Sequence, residues 1–241
     1  MTVIKNNKVA LVTGTSRGIG YSISKKLFEL GYYVIGTSTK GQMEDSMHVD
    51  EMLAVDFNDI ESTQLFMNKV QRLKKIDILV NNVGINIIKK QGTITVEDYS
   101  KIENINLRMP FFLSAAVASI MAETGGGRIV NIASIWSVVT KENRTLYSTM
   151  KSGLHGLTRS MAVEWATRNI LINTISPGFV NTDLTKQSLS ETEIAALVQK
   201  IPLNRLAETY EIAELVVFLT SDSNTYLTGQ NIVIDGGFSI V

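Results

Sequence analysis

Seven short apolar, β-branched runs punctuate the chain, at residues 9–13, 33–37, 53–56, 78–81, 128–133, 171–176 and 232–235. Each opens onto a turn, and several are apolar without alternation, as strands covered on both faces are. Between them, helical periodicity occupies residues 19–30, 62–73, 96–122, 147–166 and 211–219. Strand alternating with helix leaves little choice of architecture: a parallel sheet with right-handed crossovers and helices on both faces. The expectation is one doubly wound α/β domain of seven strands over residues 1–241. Residues 38–52 carry only a weak helical pattern and read as a loop. Residues 182–207 mix polar and short apolar stretches and read as a mobile insertion.

Composition narrows the functions open to such a domain. The 241 residues are 44% hydrophobic, and 23 Lys+Arg balance 23 Asp+Glu. A chain of this length buries roughly 70–75% of its unfolded surface, so a full core is available. Zero net charge offers no broad electrostatic grip on nucleic acid or anionic lipid. The absence of cysteine removes disulfides, thiolate nucleophiles and thiolate metal sites. His48 and His155 are far apart in sequence, so no metal site is expected. The first residues lack a signal-peptide pattern, and the apolar stretch at 109–122 falls short of the ~20 residues that span a bilayer. A cytoplasmic location is the expectation.

The first strand runs into Thr13-Gly14-Thr15-Ser16-Arg17-Gly18-Ile19-Gly20, and a helix follows at once. Glycines at a strand-to-helix turn permit positive φ and close backbone approach to an anion at the helix N-terminus. The spacing is Gly-x-x-x-Gly-x-Gly rather than the standard dinucleotide fingerprint. A NAD site usually places an acid about 20 residues on, at the end of the second strand. Here that segment reads Thr37-Ser38-Thr39-Lys40, and the first acid is Glu44. Hydroxyls with Lys40 and Arg17 suit a 2′-phosphate, which favours NADP(H) with NAD(H) as the alternative. The same two cations also fit solvated surface positions.

Tyr147 and Lys151 stand four apart at the start of a helical pattern, so they share a face. An ammonium near a phenol favours the phenolate and is expected to lower the tyrosine pKa from its usual ~10. Ser134 ends the fifth strand, at the sheet edge where open α/β folds bind ligands. Pro110 lacks an N–H and its ring clashes with the carbonyl four residues back, which belongs to Asn106. A kink there is expected, leaving that carbonyl free for a water.

With Asn81-Asn82-Val83-Gly84, Pro177-Gly178, Thr182 and Asp235-Gly236-Gly237, these motifs resemble the short-chain dehydrogenase/reductase family along the whole chain. The chain is similar to 3-oxoacyl-carrier-protein reductases and to related sugar and ketone reductases. The resemblance implies a single Rossmann-type domain and an NADP(H)-dependent oxidoreductase that interconverts a carbonyl and an alcohol. It implies that Tyr147 is general acid or base, that Lys151 holds the nicotinamide ribose, and that Ser134 binds the substrate oxygen. Asn106 would anchor a proton-relay water. Cofactor contacts would come from Gly14, Ser16, Arg17, Gly18, Ile19, Gly20, Thr37, Ser38, Asp56, Phe57, Asn82, Gly84, Tyr147, Lys151, Pro177, Gly178, Val180 and Thr182. Val83 departs from the family's usual alanine.

The substrate wall is expected from residues 86–90, 135–144 and 182–207. Trp136, Asn143 and Arg144 suit a polar or anionic substrate such as a sugar derivative or hydroxy acid, and equally fit core filling and solvated charge. Arg128 and Arg168 stand where the acyl reductases bind acidic carrier protein, so carrier protein is a candidate partner beside a small carbonyl or alcohol substrate. His155 reads as a packing or interface histidine. Apolar and small residues on 111–121 and 154–166 exceed what one helix face needs, and the resemblance implies a homotetramer. A nucleotide-binding regulator without turnover is the rival class, and filled catalytic positions count against it. A sugar-nucleotide epimerase would need a larger C-terminal region than residues 182–241 provide.

Overall fold

The computed structural model describes residues 7–42, 48–188 and 190–241. Its seven strands are β1 (Val9–Val12), β2 (Tyr33–Ser38), β3 (Glu51–Ala54), β4 (Ile78–Asn81), β5 (Gly127–Ile132), β6 (Ile170–Pro177) and β7 (Asn231–Ile234). They form one sheet in the order β3-β2-β1-β4-β5-β6-β7, with every pairing parallel. The order reverses between β1 and β4, which opens a crevice at the carboxyl ends of the strands.

Helices α1 (Gly18–Glu29), α2 (Ile60–Val70), α3 (Val96–Glu103), α4 (Met109–Glu123), α5 (Thr145–Trp165), α6 (Asp183–Ser188), α7 (Glu191–Val198) and α8 (Thr209–Thr220) connect them. Two apolar clusters sandwich the sheet. One gathers Leu11, Phe66, Leu79, Leu113, Ile129 and Leu154 on the face of α2, α4 and α5. The other gathers Val12, Ile23, Leu27, Val34, Ile175 and Val216 on the face of α1 and α8. Alternate residues of β1 to β5 feed opposite clusters, which explains why those strands read as continuous apolar runs.

Polar residues also thread this core. Asn81 Nδ2 donates to Ser114 Oγ at 2.8 Å and to Asn131 Oδ1 at 2.7 Å, and Asn131 Nδ2 donates to Thr158 Oγ1 at 2.9 Å. Thr158 Oγ1 then meets Thr174 Oγ1 at 2.7 Å. This chain locks α4 and α5 onto β4, β5 and β6, and its satisfied partners fix one packing arrangement.

The helical run at 96–122 is not a single kinked α-helix. Asn104–Arg108 is a π-helical turn in which the Met109 N–H reaches the Asn104 carbonyl five residues back. Because Pro110 has no N–H to give Asn106, the ladder shifts frame by one residue and resumes as α4. The combined run Val96–Glu123 is long and apolar enough to cross a membrane, and half of its most apolar window is buried within the fold.

Two further differences concern loops. β3 starts at Glu51, two residues before the expected run. Asp50 Oδ2 accepts from the Val34 N–H at 2.9 Å, so polar capping rather than hydrophobicity sets that edge. Residues 182–207 hold α6 and α7 and are tied to the end of β6 by a bridge between Val180 and Ala207. Glu44 lies outside the described residues.

Candidate active site

The turn after β1 is built around hydroxyls as much as glycines. Thr13 Oγ1 accepts from the backbone N–H of Asn82 at 2.9 Å and of Val83 at 3.1 Å. Asn82 Nδ2 donates back to the Thr13 carbonyl at 2.9 Å and the Gly14 carbonyl at 3.2 Å. Thr37 Oγ1, buried beneath the turn, accepts from the Gly14 N–H at 3.0 Å. Gly14 and Gly18 take left-handed φ values of +71° and +59°, and a Cβ on Gly20 would fall 2.0 Å from the Gly14 carbonyl. The chain therefore folds back on itself as only glycine allows.

The Gly14 and Thr15 N–H groups are taken up by Thr37, and the turn then leads into the N-terminus of α1. Arg17 caps α1 in extended conformation without a side-chain capping bond, and the first turn of α1 contains no acid. An anion is the natural partner for that helix end. Ser16, Arg17 and Lys40 are exposed, and neither cation makes an ion pair among the described residues. Ile19 instead packs toward the α1–α8 core.

Other expected cofactor residues border the crevice. Asp56 Oδ1 accepts from the Asn58 N–H at 2.9 Å at the mouth of β3, and Ser38 Oγ accepts from the Gly41 N–H at 2.9 Å. Phe57 is a core residue, edge-on to Phe66 with ring centroids 5.6 Å apart. Pro177 ends β6, and a Cβ on Gly178 would meet Asp235 at 2.7 Å. Val180 is buried, and the Thr182 methyl lies 3.8 Å from where a Gly18 Cβ would stand, so the α6 segment reaches across to the glycine turn. Val83 uses its extra bulk against Gly14, where an added Cβ would meet Val83 Cγ2 at 2.7 Å.

Asn106, Ser134, Tyr147 and Lys151 converge at the floor of this crevice. Asn106 is fully buried; its Oδ1 accepts from the Ile85 N–H at 2.9 Å and its Nδ2 donates to the Ile85 carbonyl at 2.8 Å. The Asn106 side chain thus splints the loop after β4. Lys151 is 3% exposed, and its Nζ donates to the Ile132 carbonyl at 2.8 Å. A Cβ on Gly84 would stand 3.1 Å from that Nζ, so glycine there leaves room for the ammonium. Ser134 Oγ accepts from the Trp136 N–H at 3.3 Å, and the Ser134 hydroxyl lies close enough to the Tyr147 phenol to favour its charged form.

Electrostatics at the pair differ from the sequence expectation. Burial pushes the Tyr147 phenol above its ordinary value, opposed by the neighbouring Ser134 hydroxyl and by the charge of Arg144, not by Lys151. Lys151 stands 5.8 Å from the Tyr147 ring centroid, and burial brings its own pKa down to about 8. Desolvation disfavours each charged form, so the two shifts have opposite signs on an acid and a base.

Behind Ser134 lies a polar relay that sequence reading missed. Ser137 Oγ donates to the Ser134 carbonyl and meets His155 Nε2 at 3.0 Å, and His155 Nε2 meets Ser176 Oγ at 3.3 Å. Ser176 Oγ donates to Asn231 Oδ1 at 2.7 Å. His155 is therefore a brace for the Ser134 turn. Arg128 is likewise consumed by the fold: Nη1 donates to the carbonyls of Gly127 and Asn169, and Nη2 to Asn224. Arg168 remains exposed.

Residues 14–239 match a family model described as enoyl-(acyl carrier protein) reductase. The chain is a short-chain dehydrogenase/reductase. As such it is an NAD(P)-dependent oxidoreductase acting on carbonyl or alcohol groups. It is 38% identical to a 3-oxoacyl-[acyl-carrier-protein] reductase of Vibrio harveyi, over 97% of this chain and 98% of that one. Among solved structures it resembles a Beutenbergia cavernae protein assigned as an NAD(P)-dependent gluconate 5-dehydrogenase with bound NADP. That match has a TM-score of 0.90 and 28% identity, covering 99% of this chain and 98% of the other. It also resembles a 4-hydroxyisoleucine dehydrogenase complexed with NADH, at TM-score 0.89 and 30% identity, over 98% of this chain and 100% of that chain. The reductase's glycine cradle, its uncapped α1 N-terminus and its buried Lys151 fit a dinucleotide.

Proposed function

We propose that this short-chain dehydrogenase/reductase is an NADP(H)-dependent carbonyl reductase in which Tyr147 is the general acid, becoming the base in the reverse direction. The observation that carries the reading is the Tyr147 phenol set beside both the Ser134 hydroxyl and a buried Lys151 that has no acidic partner among the described residues. Two neighbouring hydroxyls offer one oxygen site, where a substrate carbonyl oxygen accepts from both.

NADP(H) supplies the hydride when bound. The glycine turn at Gly14, Gly18 and Gly20 would hold its pyrophosphate, Arg17 and Lys40 its 2′-phosphate, and Lys151 its nicotinamide ribose. Ser134 positions the carbonyl oxygen, and Tyr147 delivers a proton to it as negative charge develops there. Because burial keeps Tyr147 protonated through neutral pH, the acid form is available for reduction. Lys151, with a pKa near 8, can exchange a proton in the same range, and the Asn106 main chain offers the anchor for a relay water. The NADP-bound neighbour and the absence of a described carboxylate at the end of β2 both support NADP(H).

A 3-oxoacyl thioester substrate is favoured by the Vibrio harveyi relative. A polar hydroxy- or keto-acid is favoured by the wall of the site, which carries Trp136 and Arg144 where small residues would admit a flexible acyl chain. The fold's use of Arg128 counts against carrier-protein docking there. Exposed Phe111, Phe112 and Val163 on α4 and α5 support helix-to-helix assembly, which we read as the family's homotetramer. The test is NADPH and NADH oxidation by the purified protein against an acetoacetyl thioester, keto-sugars, 2-keto acids and hydrophobic diketones. NADPH-dependent turnover of a carbonyl supports the reading; tight cofactor binding with no turnover supports the regulatory rival.

A further inference from the structure

Arg144 is in an unusual position for an arginine that only stabilises the fold. It is the N-cap of α5 and makes no side-chain capping bond, and it adds a cation to the positive end of a 21-residue helix. Its Nε and Nη1 are buried and have no hydrogen-bond partner, and it makes no ion pair among the described residues. The guanidinium lies over the Trp136 ring, 5.2 Å from its centroid, with Lys141 Nζ on the same ring at 5.6 Å. Asn143, at a left-handed φ of 65°, turns the chain so that Arg144 enters the helix from this side. Its charge also acts on the Tyr147 phenol. A rigid fork stacked on an aromatic plane, beside the catalytic pair and without a protein acceptor, is built to receive a planar or tetrahedral oxyanion.

We propose that Arg144, backed by Trp136, is the specificity residue for an anionic carbonyl substrate, binding its carboxylate or phosphate while Ser134 and Tyr147 hold the carbonyl. Positions three apart at a helix start lie about 5–6 Å apart at Cβ. That spacing places the anion a few bonds from the reacting carbonyl, as in 2- and 3-keto acids or short keto phosphates. The inference rests on the carbonyl reductase reading for the placement of the carbonyl.

The test compares matched pairs with wild type, Arg144→Gln and Arg144→Lys: acetoacetate against acetoacetamide, and dihydroxyacetone phosphate against dihydroxyacetone. Two readouts are taken, kcat/KM for NADPH oxidation and calorimetric binding of each compound to the enzyme with NADP+. The wild type should favour a charged member by about tenfold or more, and Arg144→Gln should erase that ratio, with Arg144→Lys between them. Preference for the acid over the phosphate, or the reverse, identifies which anion the fork takes. A wild-type ratio near one, or an equal loss on both members of each pair in Arg144→Gln, overturns the proposal. If no compound is reduced, the reductase reading fails on this panel and binding decides alone. Charged compounds that bind wild type but not Arg144→Gln sustain the proposal, and binding to neither overturns it.

Discussion

The buried ammonium of Lys151 donates to the main-chain carbonyl of Ile132 at 2.8 Å. That single bond anchors a side chain with no acidic partner, and burial lowers its pKa from 10.5 to about 8. The unfolded chain keeps the proton up to its higher pKa. Below pH 8 both states are protonated and the folded state carries the cost of a buried charge. Stability of the cofactor-free protein should therefore rise as pH increases from about 8 to 10.5. Lys151→Met should remove the cost, raising stability at pH 7 by up to about 3 kcal/mol while abolishing turnover. Denaturant midpoints at pH 7 and 10 check this; an equally pH-dependent Lys151→Met variant contradicts it.

Arg144 pulls the Tyr147 phenol down against burial. Arg144→Gln should shift the tyrosine titration, followed by phenolate absorbance, to higher pH. The alkaline limb of the reduction profile should move with it, since reduction requires the protonated phenol. A shift to lower pH would mean that Arg144 does not act on Tyr147.

Arg17 at the start of α1 and Lys40 after β2, neither in an ion pair among the described residues, are the cations available to a 2′-phosphate. Replacing both with alanine should weaken NADPH binding about tenfold or more and leave NADH nearly unchanged. Ser38→Asp should reverse the preference, because a carboxylate there repels the phosphate and accepts from a ribose hydroxyl. Nicotinamide fluorescence titrations with both cofactors measure each outcome.

Gly20 lies in the first turn of α1, where a Cβ would meet the Gly14 carbonyl at 2.0 Å and Asn82 Nδ2 at 2.5 Å. Helix propensity favours Gly20→Ala by about 1 kcal/mol, but the clash with backbone dominates. A net loss above about 2 kcal/mol is expected, with loss of cofactor binding. Gly92→Ala, which meets nothing within 4 Å, should change stability by less than about 0.5 kcal/mol. Thermal unfolding of the two variants side by side separates them.

Sequence pattern located every strand because both sheet faces are buried, which leaves a hydrophobic signature in each run. The glycine turn and the Tyr147–Lys151 pair stood out by local spacing, whereas the roles expected of Asn106 and Ser134 came from the family resemblance. What was hidden depends on partners distant in sequence. No local pattern shows that Asn106 splints Ile85, that Arg128 clamps carbonyls at Asn169 and Asn224, or that His155 braces Ser134 through Ser137. The π-turn before Pro110 was visible only as a generic disturbance, since a proline can bend a helix or shift its frame. The sign of the Tyr147 shift was missed because sequence spacing reports the nearby Lys151 and not the burial that outweighs it.

The central claim is that Tyr147 gives a proton to a substrate carbonyl, and single-turnover reduction by wild type and Tyr147→Phe with NADPH tests it most directly. Removing one hydroxyl should slow the chemical step by about 10²–10⁴-fold while NADPH affinity stays within a few-fold of wild type. A Tyr147→Phe enzyme that reduces the same carbonyl at the wild-type rate would contradict the account.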